Sequence, residues 1–385
     1  MRKAFIESLG TLKSPAASNV LVQVMLSDSE SQNFLFNILA GQQLIAIADP
    51  ETIDPLIKAL YLSDPGNPAM RMNDVAASAL VAIGRPALEP VLKTLAGENQ
   101  EANQLVELYI ESIRQKDPRA AAQLDSRSIV VTEAAYTLGK LGFREAVEPL
   151  LAETRVPDVD RAFAAALPLV SINREPSDTG PIVSALVSVY KRLEAQQKPQ
   201  MLVAMRHLYA DELMPFFLSV AQNRKQDQLA VRLYGFVSYT MLANREEAAE
   251  LKPILAKAEA LQPHLKDYPP AIAAAEECDQ DVACWVSKLN SEDTVIVRKA
   301  ANMLARLARG DGQAIAPLVE LFGHRELEVR NEALFAADYM AVEGSRDAVE
   351  KIDNLETAES GRSIWNNFKR EALPIRARLR ARSRS

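Results

Sequence analysis

The chain has 385 residues and a formal net charge of −7, from 44 basic and 51 acidic side chains, a length that suits two ordinary domains or one extended repeat array. Apolar residues make up 48% but aromatics only 6%, and an Ala/Leu-rich apolar set suits closely approaching helices better than a strand-built core. The acidic balance argues against broad phosphate-backbone binding, and no apolar run approaches the roughly 18 to 20 residues that span a bilayer.

The opening MRKAFIESLGTLKSP contains Glu7 and no long apolar segment, so it does not read as a signal peptide. It reads instead as the first helix of a repeat already under way. Unit one, roughly 1–27, places helices on either side of Lys13-Ser14-Pro15. Units at about 30–63 and 71–97 follow, joined by the loop LSDPGNPAM, whose prolines and glycine break both helix and strand. Residues 98–127 form an irregular unit, and its helix EANQLVELYIESIRQ ends near Asp117-Pro118 because proline disfavours helix in the residue before it.

Regular units return at 128–155, then at about 157–195, 197–223 and 225–259. A second irregular region, 260–291, contains LQPHLKDYPP and CDQDVACWVSKL. The stretch 293–352 then reads as one helical hairpin followed by its own copy. Each copy opens on an acidic residue and continues through Val297-Arg298 or Val329-Arg330 into an Ala/Leu-rich helix and a Gly-containing turn. Within the first copy, Val297, Ala300, Ala301, Leu304 and Leu307 make one apolar helical stripe. A last helix from about Ser363 closes the chain with the basic tail PIRARLRARSRS.

A proline expected near the start of each second helix sets the register, since the first-turn N–H has no intrahelical partner. The marker falls at Pro55, Pro90, Pro149, Pro181, Pro215, Pro253 and Pro317. Pro55 to Pro90 is 35 residues, Pro149 to Pro181 is 32, Pro181 to Pro215 is 34 and Pro215 to Pro253 is 38. Two nearly doubled gaps, Pro90 to Pro149 and Pro253 to Pro317, each accommodate one degenerate unit. With Asn19 and Glu350 at the equivalent flanking positions, the register gives about ten units.

This pattern resembles HEAT repeats, especially the short bacterial HEAT-like units also found in phycobilisome-lyase-like proteins. Asp293, Val297, Arg298, Ala300, Ala301, Leu304, Ala316, Pro317, Leu318 and Leu321 carry the resemblance in one unit. Glu326, Val329, Arg330, Ala333, Ala336, Ala348 and Val349 carry it in the next, and Leu138, Gly139, Leu141, Gly142, Ala146, Val147, Pro149 and Leu150 carry it earlier. The resemblance covers most of the chain. It implies an all-α fold, a right-handed α-solenoid of about ten stacked antiparallel hairpins forming an armadillo-type superhelix.

In that scheme 1–97 and 128–259 are HEAT-like repeats, 98–127 is an irregular helical unit, and 260–291 is an irregular region with the cysteine pair. Two HEAT-like repeats occupy 292–358, and 359–385 is a capping helix with the basic tail, all in one continuous solenoid. HEAT-like solenoids serve as scaffolds, transport receptors, lyases and DNA-repair enzymes, so the resemblance constrains fold more than function. The tetratricopeptide W-x-x-L-G-x-x-Y and ankyrin T-P-L-H patterns are missing.

No catalytic, cofactor-binding or metal-binding residue is assigned. His207 stands four residues before Asp211, half of a metal-site spacing, but reads as an ordinary helix-end residue; His264 lies in a Pro-flanked linker and His324 at a turn. The HEAT-like di-iron hydroxylases carry repeated His-Glu pairs, and this chain has no His-Glu dipeptide. A G-x-S-x-G elbow, a Walker A loop and a G-x-G-x-x-G fingerprint are also missing. Gly310-Asp311-Gly312 reads as an interhelical turn.

Cys278 and Cys284 are the only cysteines. On one unbroken helix they would face apart, since six residues advance about 600°. A break at Asp279-Gln280-Asp281, with Asp281 capping the next helix, brings them into disulfide range, so the choice lies between a disulfide and two separately buried thiols. Asp158/Arg161, Asp227/Arg232 and Asp293/Arg298 read as caps and links between units.

Arg376, Arg378, Arg380, Arg382 and Arg384 offer electrostatic contact to a partner, although their alternation puts no single arginine face on a helix and a solvated disordered terminus is the expectation. Tyr209, Phe216, Phe217, Tyr234, Phe236 and Tyr239 form the densest aromatic region. Most should fill the core, with surplus rings, among Tyr209, Phe216, Phe217, Tyr234 and Tyr239, anchoring a protein partner on a concave face.

The functional expectation is a non-catalytic scaffold that binds one or more proteins, with the middle units at about 157–259 as the contact region. The alternatives are a lyase-like solenoid enzyme and a nucleic-acid binder, which would need a convergent acid or nucleophile and a Lys/Arg stripe respectively. Compartment is open between two readings. The N-terminal sequence suits the cytosol, while a Cys278–Cys284 disulfide and a start within a repeat suit a trimmed exported protein.

Overall fold

The helix boundaries follow from the side chains that cap them. Ser14, Asn99, Asp125, Asp158, Asp293 and Ser345 sit in extended backbone just ahead of a helix, and each accepts a hydrogen bond from a first-turn amide that has no intrahelical partner. Gly97 and Gly142 close helices in left-handed backbone at φ 86° and 73°, where a side chain would be strained. A computed structural model describes residues 1–12, 14–27, 35–63, 71–172, 174–223 and 229–383. Among the described residues the elements are α-helices, short 3-10 turns and one isolated antiparallel bridge between Ser63 and Arg71. The fold is all-α, as the sequence predicts.

The chain divides into two compact units, Met1–Ile172 and Asn173–Ser385. The first contains α1 (Arg2–Leu12), α2 (Pro15–Leu26), α3 (Leu35–Ile47), α4 (Ile53–Ala59), α5 (Asn73–Ile83), α6 (Leu88–Ala96), α7 (Gln100–Lys116), α8 (Pro118–Ala121), α9 (Ser126–Leu141), α10 (Val147–Thr154) and α11 (Val159–Ala166). Successive helices pair as hairpins that stack in two rows, α1–α3–α5–α9–α11 beside α2–α4–α6–α10. Small residues make the close approach possible. Ala76, Ala77 and Leu80 of α5 and Ala134, Ala135 and Leu138 of α9 are all fully buried, and each buried leucine contributes about 1.5–3 kcal/mol.

The irregular stretch 98–127 supplies α7 and α8. The first buries one stripe, Ala102, Val106 and Ile110, and packs beside α4 and α9, while α5 rests directly on α9. A helix with one apolar stripe can cover a flank but cannot be sandwiched within a row, which requires apolar contacts on two sides.

The second unit contains α12 (Pro176–Arg192), α13 (Lys198–Met205), α14 (Met214–Gln222), α15 (Leu229–Leu242), α16 (Arg245–Ala256), α17 (Gln262–Leu265), α18 (Pro269–Cys278), α19 (Val282–Lys288), α20 (Thr294–Leu307), α21 (Gly312–Glu320), α22 (Leu327–Met340), α23 (Arg346–Glu359) and α24 (Ser363–Arg382). One row runs α13–α15–α20–α22–α24. The irregular stretch 260–291 again stays to one side: α18 packs on α16, α19 packs on α20, and α15 meets α20 directly. Trp285, Tyr239, Phe217, Phe236, Phe322 and Phe368 are the largest fully buried apolar side chains of this unit among the described residues.

Two expectations change. Pro181, Pro253 and Pro317 do not open their helices, which begin earlier at Pro176, Arg245 and Gly312 under the capping side chains of Glu175, Asn244 and Asp311. The basic tail is not a free terminus, because α24 runs to Arg382. Arg376 and Arg380, one turn apart, reach Asp353 of α23 at 2.6 and 2.9 Å. Arg378 and Arg382, also one turn apart, both bond Asp338 of α22. Alternating arginines thus supply two i,i+4 pairs on two faces, each pair gripping a different neighbour. Arg384, Asp227, Lys13 and residues 64–70 of the predicted loop lie outside the described residues.

Candidate functional site

Polar side chains gather on one face of α22. Glu328, Glu332, Phe335 and Tyr339, spaced four, three and four residues apart, fall in one helical stripe. Glu332 is buried, with its side chain only 2% exposed. Its carboxylate accepts hydrogen bonds from the Arg206 guanidinium and, at 2.9 Å, from Asn302 Nδ2 of α20. Arg298 of α20 approaches to 3.7 Å and His207 Nε2 to 3.4 Å. Burial pushes the Glu332 carboxyl up, but Arg206, His207 and Arg298 together hold it well below the usual carboxylate range.

His207 belongs to the short 3-10 turn after α13 and stacks on Phe335 with ring centroids 4.5 Å apart. Burial lowers its pKa below 6.5 against the opposing pull of Glu332, so the imidazole is neutral near pH 7. Asp211, four residues on, accepts instead from Arg306 Nε at 2.5 Å. Tyr209 closes the same turn at φ 52° and lies 5.0 Å from Tyr339, ring to ring. Arg174 and Arg309 lie 4.8 and 4.7 Å from the Tyr339 ring, and such cation–π contacts strengthen on desolvation.

Two further buried charges occupy a shared repeat register. Glu133 of α9 and Lys299 of α20 each directly precede a buried Ala-Ala pair, Ala134-Ala135 and Ala300-Ala301, and each lies on the first-row helix that follows an irregular stretch. Glu133 accepts from Arg71 at 2.6 Å and from Asn73 at 3.0 Å, near the start of α5. Burial raises its pKa, and Arg71 opposes the shift. Lys299 Nζ donates to the carbonyls of Thr240, Met241 and Ala243 at 2.9, 3.3 and 2.7 Å, at the end of α15. Both charges therefore bond back to the helix that the row places directly beside them. Three acceptors at a helix C-terminus suit an ammonium, while burial and the nearby Arg306 lower its pKa to about 7.

Burial corrects three of the five proposed partner-binding rings. Tyr209, Phe217 and Tyr239 are 4%, 0% and 2% exposed, so they fill the core, as does Phe236. Phe216 is half-buried with its edge against Tyr190, ring centroids 4.9 Å apart, and Tyr234 is 38% exposed. The remaining acidic/arginine pairs act as caps and links. Asp158 accepts from the Arg161 amide, Asp293 accepts from the Val295 amide, and Arg298 reaches Glu328 at 2.8 Å.

Cys278 and Cys284 are joined in a disulfide across the break at 279–281, their Cα atoms 5.3 Å apart, and Asp281 caps α19. Among the described residues, the one set of His, Cys, Asp and Glu side chains at metal-ligand separations is Glu277, Cys278 and Cys284. The sulfur–sulfur bond leaves neither cysteine as a thiolate, so these residues do not fit a metal. Sequence reasoning missed Glu332, Glu133 and Lys299. The signal for Glu332 was present, since aligning the two copies in 293–352 sets it opposite Ala300, a charge at a core position.

No family model matches the chain, and no curated protein does. Solved structures similar to it include human deoxyhypusine hydroxylase in complex with glycerol, at 13% identity and a TM-score of 0.30, covering 96% of this chain and 99% of that one. An engineered protein is 18% identical with a TM-score of 0.26, covering 98% and 95%. Kap121p is 12% identical with a TM-score of 0.28, covering 94% of this chain and 42% of its own. Likeness at this level carries no argument about chemistry, and the fold rests on the helix packing itself.

Proposed function

We propose that this chain is a non-catalytic scaffold of HEAT-like repeats that binds a protein partner through the exposed side of α14 and α15. The observation that carries this reading is the placement of apolar side chains on two helices packed against each other. Phe216 of α14 is half-buried, and Leu229 and Tyr234 of α15 are 37% and 38% exposed. Aromatic anchors of this kind supply much of the energy at protein interfaces. The ionisable groups that a catalytic reading would need, Glu332 and His207, are buried and turned toward each other. The net charge of −7 favours a protein over a nucleic acid.

The test is crosslinked affinity purification from the native host, comparing the unmodified chain with a Phe216→Glu/Tyr234→Glu variant whose helicity is verified by circular dichroism. A reproducible partner that the variant loses, and that binds the purified unmodified chain directly, supports the reading. Equal recovery by both chains, or no reproducible partner, overturns it.

A further inference from the structure

The second irregular stretch carries a connected set of contacts that neither scaffolding nor simple stacking requires. Its disulfide joins the end of α18 to the first turn of α19 and encloses Asp279, whose backbone sits at φ 48° and ψ −115°. A residue with a Cβ is strained there and persists only when its surroundings over-determine it. The Asp279 carbonyl accepts a hydrogen bond from Trp285 Nε1 at 2.8 Å. Trp285 is fully buried, and its ring lies 5.5 Å from Lys299 Nζ. That same ammonium holds the three carbonyls ending α15. Arg245, the first residue of α16, donates to the Glu276 and Glu277 carbonyls at 2.8 and 3.4 Å and steadies the end of α18 from the other side.

We propose that the Cys278–Cys284 disulfide is a thiol-responsive latch, holding Trp285 over Lys299 and thereby tightening the junction between α15 and α20. The sulfurs differ in access: Cys278 is 1% exposed, while Cys284 is partly exposed. A dithiol reductant therefore attacks Cys284 Sγ, forming a mixed disulfide and releasing the Cys278 thiolate. The second thiol of the reductant displaces Cys284, so two electrons and two protons end on the protein cysteines and the reductant leaves as its own disulfide. Once the bond is open, the positive-φ turn relaxes and the Asp279 carbonyl moves away from the indole. Trp285 then ceases to shield the ammonium, and water competes for the carbonyls of Thr240, Met241 and Ala243.

Hydrogen exchange of the full chain, read by mass spectrometry with and without a dithiol reductant, tests this. Thiol labelling of the unfolded chain establishes the redox state of each sample. Reduction is expected to speed amide exchange about tenfold in the C-terminal half of α15 and in α20, beyond the 278–284 loop itself. A Cys278→Ser/Cys284→Ser variant is expected to exchange like the reduced chain and to ignore reductant. Faster exchange confined to 276–286, or no change in α15 and α20 on reduction of the unsubstituted chain, overturns the latch whether or not the double variant folds.

Discussion

Replacing Glu332 by glutamine isolates the buried charge at the centre of the second unit. The substitution keeps the side-chain shape but leaves Arg206, with its side chain 10% exposed, without its counter-charge, and leaves Arg298, 17% exposed, with the exposed Glu328 alone. Removing one partner of a buried ion pair costs about 3–5 kcal/mol, because the remaining charge is desolvated and unpaired. At about 2–4 °C per kcal/mol for a unit of this size, the unfolding midpoint should fall by roughly 6–20 °C. Differential scanning calorimetry of the full chain measures the shift. Glu328→Gln is the internal control: it also pairs with Arg298, but its side chain is 76% exposed, so its loss should stay within about 0.5 kcal/mol. A paired Glu332→Leu/Arg206→Met change should recover much of the loss, since apolar replacement of a whole buried pair is often neutral. A Glu332→Gln chain within about 1 kcal/mol of the Glu328→Gln control would refute the reasoning, since the full desolvation penalty should exceed that.

His207 gives a pH signature. Its folded pKa lies below 6.5, so as pH falls through 6.5 the unfolded chain takes up a proton that the folded chain does not, and stability declines. His207→Phe, which keeps a ring against Phe335, should flatten that decline in urea midpoints measured from pH 7 to pH 5. Gly139→Ala would put a Cβ 2.6 Å from Pro168 Cβ and 3.0 Å from its Cα; with backbone on the far side unable to yield, about 1–3 kcal/mol should be lost in denaturant unfolding. Asp338→Asn weakens the shared anchor of Arg378 and Arg382, and limited trypsin digestion should then cut α24 about tenfold faster than in the unsubstituted chain.

The hairpins were legible because their signals are local. A cap such as Asp281, a breaker such as Pro118 or a glycine after a leucine run acts within one turn of helix, whatever packs outside. The break that brings Cys278 to Cys284 was readable for the same reason. Burial of a charge was not, because it depends on which helix comes to lie alongside. Lys299 follows Val297-Arg298 and looks like one more solvated residue until α15 is set beside α20. The tail misled in the same way, since a strand of alternating arginines reads as solvated until Asp338 and Asp353 present themselves on two neighbouring helices. Proline register was a fair ruler for repeat length but a poor one for helix starts, because the capping side chains at Glu175, Asn244 and Asp311 begin their helices upstream of Pro181, Pro253 and Pro317.

In each unit, one row of helices closes behind the irregular stretch rather than passing through it. Such a row works as a spine whose vertebrae touch regardless of what hangs from the flank. Residues 98–125 can therefore lengthen, shorten or be exchanged for foreign sequence while α5 stays on α9, provided that Glu133 keeps its grip across the joint, whereas 260–291 carries Trp285 against Lys299 and is tied to the joint it flanks. The first stretch is thus a natural graft point of its unit, where a new surface can be acquired without re-registering the repeats on either side.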